Sequence, residues 1–303
     1  MLPPAEYVRD VAAMNRAWSG SESLAYTEWL ATHHYENFHV VSFLLPKKLH
    51  QDFYNVYSFC RWADDLGDEI GDKAESLRLL DWWRSELDAM YAGETRHPVF
   101  TALRGTVQRY GIPQQPFSDL IRAFIQDQSV SRYATWEGVL DYCVYSANPV
   151  GRLILYLGGY SDPQRQALSD STCTALQLAN FWQDVTVDLL KDRVYIPLEV
   201  LERNHYTVED LFARRMNPDF RNVMVEVVDR ARELFLAGLP LARMVDRRLA
   251  IDLDLFSRGG LHILKKIEQQ DYDVLARRPA VSKLERVGLL LASVARMTLG
   301  RAA

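Results

Sequence analysis

The sequence of 303 residues is poor in cysteine and carries no surplus of positive charge. Its three cysteines, Cys60, Cys143 and Cys173, lie far apart and form no CxxC spacing. This pattern argues against a disulfide framework or a zinc knuckle, and it favours a reducing, cytoplasmic environment. The net charge of −5 leaves too few cations to neutralise nucleic-acid phosphates. We therefore expect no nucleic-acid partner.

Long apolar runs and glycine-rich loops are also missing. The N-terminus has early acidic residues and no apolar run, so it does not read as a secretory signal. The apolar stretch at residues 287–295 is too short to span a bilayer, which leaves only a transient, peripheral contact with the inner membrane open. No glycine-rich dinucleotide fingerprint or second domain for NADPH is present, and we expect no NADPH requirement.

The segments that are present show helical periodicity almost throughout. Apolar residues recur at helix spacing, without a hairpin series or an alternation of strands and helices. Turn signals are sparse and none opens a long linker. This pattern predicts a single all-α domain over residues 1–303, with helices packed around one interior. Pro149 lies inside one helical segment and predicts a kink there.

One largely apolar helical segment, LQLANFWQDVTVDLL at residues 176–190, carries a narrow polar stripe. Gln177, Asn180, Asp184 and Asp188 are three, four and four residues apart, which places them on one helix face. An ionised carboxylate is costly to bury unless it meets water, a base or a metal. The apolar sector is too broad for a surface helix. The stripe therefore predicts a wet or cation-containing site.

A second segment, YSFCRWADDLGDE at residues 57–69, repeats this arrangement. It places Tyr57, Arg61, Asp64 and Asp68 on one helix face after an apolar stretch, with Asp65 beside them. Two helices with one Asp-x-x-x-Asp pair each suit Mg²⁺, which prefers carboxylates, water and phosphate oxygens. Such pairs, with a nearby arginine, would clamp a diphosphate and stabilise it as a leaving group.

Departure of a diphosphate from carbon leaves a carbocation, which survives only where water is mostly excluded and aromatic faces are near. The rest of the pocket should then be apolar and aromatic. Each aromatic candidate could equally be plain core. The candidates are Phe38, Phe43, Phe53, Tyr57, Tyr142 and Phe181.

Together these segments resemble the squalene/phytoene synthases, which are all-α class I isoprenoid enzymes built around a central apolar cavity. The resemblance covers residues 33–278 and keeps the family order. The matching runs are NFHVVSFLLP (37–46), VYSFCRWADDLGDE (56–69), YCVYSANPVG (142–151), LQLANFWQDVTVD (176–188), RVYIP (193–197) and YDVLARR (272–278).

The resemblance implies a role for each matching residue. Asp64 and Asp68 would form the first aspartate-rich motif, and Asp184 and Asp188 the second, both holding several Mg²⁺ ions and the diphosphate. The remaining matches would contact substrate: Arg61 and Arg277 the diphosphate, Phe38 and Tyr142 the prenyl chain, and Tyr57, Gln177, Asn180 and Phe181 the cavity, with Tyr142 counted among the catalytic residues.

Three positions depart from the condensing members of the family. Those members tend to carry Lys where Glu36 stands, Arg where Gln183 stands, and Tyr near Gly260. The resemblance is greatest to one bacterial branch, the hydroxysqualene synthases of hopanoid pathways. It implies Mg²⁺-dependent conversion of presqualene diphosphate to hydroxysqualene, with a presqualene diphosphate synthase and a hydroxysqualene reductase as pathway partners.

Two alternatives stay open. The first is a condensing synthase that joins farnesyl or geranylgeranyl diphosphate head to head into presqualene diphosphate, squalene or a phytoene-type product. The second is a binding-only relative, similar to the family's mitochondrial assembly factors. Those proteins usually lose the aspartates, whereas all four are present here.

Overall fold

The computed structural model describes residues 1–33 and 47–299, and that part of the chain is built from helices. The described residues are 75% helical and form no strand, which confirms the all-α prediction. The helices, labelled in chain order, are α1 Pro4–Tyr7, α2 Val11–Met14, α3 Gly20–His33, α4 His50–Asp68, α5 Lys73–Ala92, α6 Pro98–Tyr110, α7 Gln115–Asp127, α8 Trp136–Ser146, α9 Asn148–Leu157, α10 Pro163–Gln183, α11 Val185–Asp188, α12 Leu198–Arg203, α13 Val208–Phe212, α14 Pro218–Gly238, α15 Arg247–Gln269 and α16 Lys283–Leu299.

Local sequence signals explain where several of these helices begin and end. Asp162 caps the start of α10 by accepting a hydrogen bond from the Arg165 N–H, and Pro163 fills the first helical position. Asn217 caps α14 in the same way, and Pro218 follows it at the first helical position. Gly111 ends α6 with φ of 60°, a backbone conformation that favours glycine. Most boundaries thus follow from short-range capping chemistry.

Two predicted continuous helices are interrupted, and both predictions need correction. The segment around Pro149 is two helices rather than one kinked helix: α8 ends at Ser146 and α9 begins at Asn148. Pro149 lies in the first turn of α9, where the proline's missing N–H costs nothing. The polar-stripe helix ends at Gln183, and Asp184 separates it from the single turn of α11.

Residues Met1–Ser129 and Arg152–Ser161 form one compact unit. Its core contains α3–α7 packed around aromatic side chains. The Trp62 and Trp83 rings stack with centroids 5.0 Å apart, and the buried His97 ring meets the Trp62 ring edge-on at 4.3 Å. This packing buries the apolar face of α4 and directs the opposite, acidic face away from the core.

Residues Val130–Gly151 and Asp162–Ala303 form a second compact unit, in which α10 packs along α14 and α15. Gly238 permits a close approach of α14 to α10, because a Cβ there would lie 2.1 Å from the Thr172 Oγ1. The single-domain prediction for residues 1–303 stays a prediction. Within residues 1–33 and 47–299, no helix combines the length and the apolar content that crossing a bilayer requires.

Candidate active site

The first acidic motif lies at the C-terminal end of α4. Arg61 contacts two consecutive aspartates of that helix: its Nη1 is 3.3 Å from the Asp64 Oδ2, and its Nη2 is 2.5 Å from the Asp65 Oδ1. Asp65 is buried, whereas the Asp64 side chain is 45% exposed and Asp68 is exposed. The helix therefore presents Asp64 and Asp68 outward and keeps Asp65 beneath them.

Electrostatics distinguish Asp65 from its neighbours. Burial raises the pKa of Asp65 to about 6, although the Arg61 guanidinium opposes the shift, and the charges of Asp64 and Glu69 add to it. Burial also raises the pKa of Tyr57, two turns earlier on α4. The first acidic motif is thus rich in negative charge, and one arginine partly offsets it.

The second acidic motif follows the end of α10. The helix stops at Gln183, yet the Asp184 N–H still donates to the Asn180 carbonyl at 2.9 Å, and the Asp188 N–H donates to the Asp184 carbonyl at 2.9 Å. These bonds keep the predicted four-residue spacing across the break. Gln177, Asp184 and Asp188 are half-buried, and Asn180 is exposed.

A segment from the far end of the chain contacts this second motif at two consecutive residues. The Arg278 guanidinium binds the Asp184 carboxylate through two hydrogen bonds, the Nη2–Oδ2 one being 3.1 Å. Beside it, the buried Gln183 donates from Nε2 to the Pro279 carbonyl at 2.6 Å. These contacts hold the segment containing Arg278 against the end of α10.

Asp188 has an environment that disfavours its charge. Burial and the neighbouring Asp184 raise the pKa of Asp188 to about 7, against the opposing charges of Arg193, Lys191 and Arg278. A small pocket beside it is lined mainly by apolar side chains, including Phe181, Val185, Tyr195 and Leu211. A cation close to Asp188 would favour the ionised carboxylate that burial otherwise opposes.

Four aromatic rings cluster next to Asp188. Phe181 and Tyr195 stack with centroids 3.7 Å apart and an interplanar angle of 4°. Tyr142 lies 6.2 Å from Phe181, and Tyr133 lies 5.5 Å from Tyr142. An isolated β-bridge between Arg132 and Val194 joins the chain segment that contains Tyr133 to the segment that contains Tyr195. All four rings are at least nine-tenths buried, so they provide a dry aromatic wall.

The structure accounts for the predicted residues unevenly. It brings Tyr142, Phe181 and Asp188 together within the second unit. Sequence reasoning did not identify Tyr133 or Arg278, although Arg278 lies in the matching run YDVLARR, and it considered Tyr195, in the run RVYIP, only as a secondary diphosphate contact. Phe53 lies in the core of the first unit.

The other predicted residues are not brought into these clusters. Arg277 is exposed, and its carbonyl accepts a hydrogen bond from Gln270 at 3.0 Å. Phe38, Phe43 and Glu36 lie outside the described residues. The roles of all predicted site residues stay predictions.

The described part of the chain holds no group of three or more His, Cys, Asp or Glu side chains placed to bind a metal ion. Each acidic motif offers carboxylates in pairs. A hard cation bound to such a pair takes its remaining ligands from water and phosphate oxygens, which is the usual arrangement for Mg²⁺.

The all-α fold and the paired acidic motifs define the class as an isoprenoid synthase fold. The chain belongs to the squalene/phytoene synthase family, whose model matches residues 31–285. It is accordingly a prenyltransferase-type enzyme that uses prenyl diphosphates.

Named relatives fall into two groups. A hydroxysqualene synthase from Rhodopseudomonas palustris is 32% identical over 277 residues, covering 89% of this chain and 93% of the relative. A phytoene synthase from Thermus thermophilus is 33% identical over 258 residues, covering 85% and 87%. Sequence identity at this level does not separate the two activities.

A solved structure is more similar. The crystal structure of squalene synthase HpnC from Alicyclobacillus acidocaldarius shares 45% identity with this chain and superposes with a TM-score of 0.80 over 82% of this chain and 94% of the other. A dehydrosqualene synthase superposes with a TM-score of 0.82 at 22% identity, a likeness that concerns the fold alone.

Proposed function

We propose that this enzyme converts presqualene diphosphate to hydroxysqualene. The carbon–oxygen bond to diphosphate breaks, and diphosphate leaves with the electron pair. The cyclopropylcarbinyl cation rearranges, water adds to it, and a proton is lost. The observation that carries the proposal is the position of Asp188 in a pocket lined by Phe181 and Tyr195 of the buried aromatic cluster, which would combine a leaving-group site with an aromatic wall.

Two residues distinguish this proposal from head-to-head condensation. Gln183 stands where condensing members tend to carry a cation, and its amide is used to hold the Pro279 carbonyl. Gly260 lies near the position where they tend to carry a tyrosine, and the Phe235 ring occupies the space that a Cβ would need, 2.1 Å from its ζ carbon. A site with one cation fewer is less suited to two prenyl diphosphates at once. The 32% identity to the hydroxysqualene synthase from Rhodopseudomonas palustris supports the same proposal.

The carboxylate pairs fit Mg²⁺. Asp64 and Asp68 would hold it on one motif, and Asp184 and Asp188 on the other. The raised pKa of Asp188 is the local observation that favours a cation here, because the like charge of Asp184 lies beside it. Bound magnesium would supply electrostatic stabilisation of the departing diphosphate.

The remaining steps use the chain's own side chains. The Arg278 guanidinium binds the Asp184 carboxylate, and the Arg61 guanidinium contacts the Asp64 carboxylate. Each acidic motif therefore has an arginine that would bind oxygens of the diphosphate. The buried cluster that contains the stacked Phe181 and Tyr195 rings would line the region beside Asp188 and help to exclude bulk water until one water adds.

The substrate assay tests the proposal directly. Purified protein with Mg²⁺ and without NADPH is given presqualene diphosphate in one reaction and farnesyl diphosphate in another. Conversion of the first to a C30 alcohol, with nothing made from the second, supports the proposal. Presqualene diphosphate formed from farnesyl diphosphate would instead favour the condensing reaction, for which the phytoene synthase relative at 33% identity is the specific support.

The Asp184→Asn variant tests the assigned acidic motif. Loss of a metal ligand should reduce turnover by at least about a thousandfold, because it removes stabilisation of the leaving group. Asp64→Asn should reduce turnover by a similar factor. Circular dichroism should show that both variants keep the helical fold. Near-normal turnover in either variant would contradict the assignment, and Asp81→Asn, at an exposed aspartate of α5 outside both acidic motifs, is the control.

A further inference from the structure

The last described helix, α16, exposes an apolar stripe. Leu284, Val287 and Leu291 follow one another at spacings of three and four residues and are 86%, 55% and 64% exposed. Gly288 and Ala295 are exposed on the same side. Helical geometry places these five residues on one face of about a third of the circumference. The outward face of this helix is therefore apolar, the reverse of an ordinary surface helix.

The opposite face of α16 is fixed to α15 by charged pairs. The Glu285 carboxylate lies 2.8 Å from the Lys266 Nζ and 3.1 Å from the His262 Nε2. At the other end, the Arg296 Nη1 lies 2.9 Å from the Oδ2 of the buried Asp254. Rolling the helix to bury its leucines would break these pairs and leave the Asp254 charge without the Arg296 partner, which is costly.

Charge around the stripe has one predominant sign. Residues 277–299 contain five arginine or lysine residues and a single acidic residue, in a chain whose net charge is −5. Three of these charged residues are paired: Glu285 with Lys266, Arg278 with Asp184, and Arg296 with Asp254. Lys283 is exposed at the edge of the stripe, and Arg286 is exposed on another side of the helix. An apolar face with a lysine at its edge is complementary to an anionic lipid surface.

We propose that the exposed face of α16 docks on an anionic membrane surface. Leu284, Val287 and Leu291 would lie at the boundary between headgroups and acyl chains, and Lys283 would meet lipid phosphates. The segment containing Arg278 joins directly to this helix, so docking would bring that segment, and Asp184 with it, to the membrane surface. The proposal goes beyond the proposed function and is tested without substrate.

Vesicle flotation tests the proposal with the full-length chain. The wild type should bind vesicles containing phosphatidylglycerol, and bind phosphatidylcholine vesicles more weakly. High salt should reduce binding to the phosphatidylglycerol vesicles and leave binding to the phosphatidylcholine vesicles unchanged, because salt screens the charge contribution. The Lys283→Glu variant, which changes two units of charge, should lose about tenfold or more in partitioning onto the anionic vesicles, at about fivefold per unit of charge.

A triple variant, Leu284→Ser, Val287→Ser and Leu291→Ser, removes the apolar contribution. It should weaken partitioning onto both kinds of vesicle by about tenfold or more, because each large aliphatic side chain contributes strongly to transfer from water. Leu236→Ser is the matched control, since Leu236 is 54% exposed on α14, and it should bind within about twofold of wild type. Circular dichroism checks that each variant keeps its helices.

Three results would overturn the proposal. One is a wild-type protein that binds neither vesicle type, and another is a triple variant that binds as well as wild type. The third is a wild-type dimer in solution that the triple variant dissociates, with no vesicle binding, because the stripe would then be covered by a second copy of the chain.

Discussion

Asp252 lies on α15 with only 3% of its surface exposed. Within the described part of the chain neither of its carboxylate oxygens has a hydrogen-bond partner. Burial, with a smaller contribution from Asp246, raises the pKa of Asp252 to about 8. An unpartnered buried carboxyl group stays neutral as long as the pH allows, so its cost to the folded state should depend on pH.

The sign follows from proton counting. In the unfolded chain the carboxyl titrates near pH 4, so between about pH 4 and pH 8 the folded protein binds one proton more than the unfolded one. The contribution of Asp252 to stability is therefore fully present below about pH 4 and is lost as the pH rises to its folded pKa. Each pH unit in this window costs about 1.4 kcal/mol, or on the order of 4 kcal/mol between pH 5 and pH 8.

Urea unfolding at pH 5 and pH 8 measures this effect, with Asp252→Asn as the perturbation. Asparagine keeps the shape and cannot ionise, so the variant should match wild type at pH 5 within about 1 kcal/mol and exceed it by a few kcal/mol at pH 8. A variant less stable than wild type at pH 8 would refute the reasoning, because it would mean that the ionised carboxylate has a favourable partner.

Asp254 provides a matched control on the same helix and with the same 3% exposure. Its carboxylate accepts hydrogen bonds from Arg258 at 3.0 Å and from Arg296 at 2.9 Å. Asp254→Asn should therefore lower the free energy of unfolding at both pH values, by about 3 kcal/mol or more, since it removes the charged partner of two arginines.

Other predictions concern the site and its surroundings. Gln183→Leu should cost about 1–3 kcal/mol of stability by leaving the Pro279 carbonyl unpaired, and it should slow turnover less than Asp184→Asn does. If Gln183 acts by positioning Arg278, the double variant Gln183→Leu, Arg278→Ala should have the same kcat/KM as Arg278→Ala alone. A double variant whose loss in kcat/KM is the product of the two single losses would exclude that role. Gly260→Ala should destabilise the protein by about 1–3 kcal/mol in thermal unfolding, because the new Cβ would lie 2.1 Å from the Phe235 ring. Adding Phe235→Leu should recover part of that loss; a double variant with no recovery would count against this clash.

Local chemistry made much of this molecule predictable from its sequence. Helical periodicity indicated the all-α fold, and proline and glycine signals such as Asp162-Pro163 marked real helix boundaries. The four-residue spacing of Asp184 and Asp188 survives as backbone hydrogen bonds. These features depend on interactions within a few residues, which a sequence pattern records.

Short-range patterns did not reveal where those helices break. The interruption at Asp184 falls within an unbroken apolar repeat, and the chain starts a new helix at Asn148 just before Pro149. In both cases the periodicity continues through the break, so apolar spacing alone predicts one helix where the structure has two.

Tertiary structure decided which distant residues meet. Arg277 and Arg278 are adjacent in sequence, and only the path of the segment held by Gln183 determines that Arg278 contacts Asp184. Tyr195 joins Tyr133 because two remote segments pair at one bridge. Whether a buried aspartate meets arginines, like Asp254, or none, like Asp252, also depends on neighbouring helices. Such contacts arise from packing between segments far apart in the chain, which no local pattern specifies.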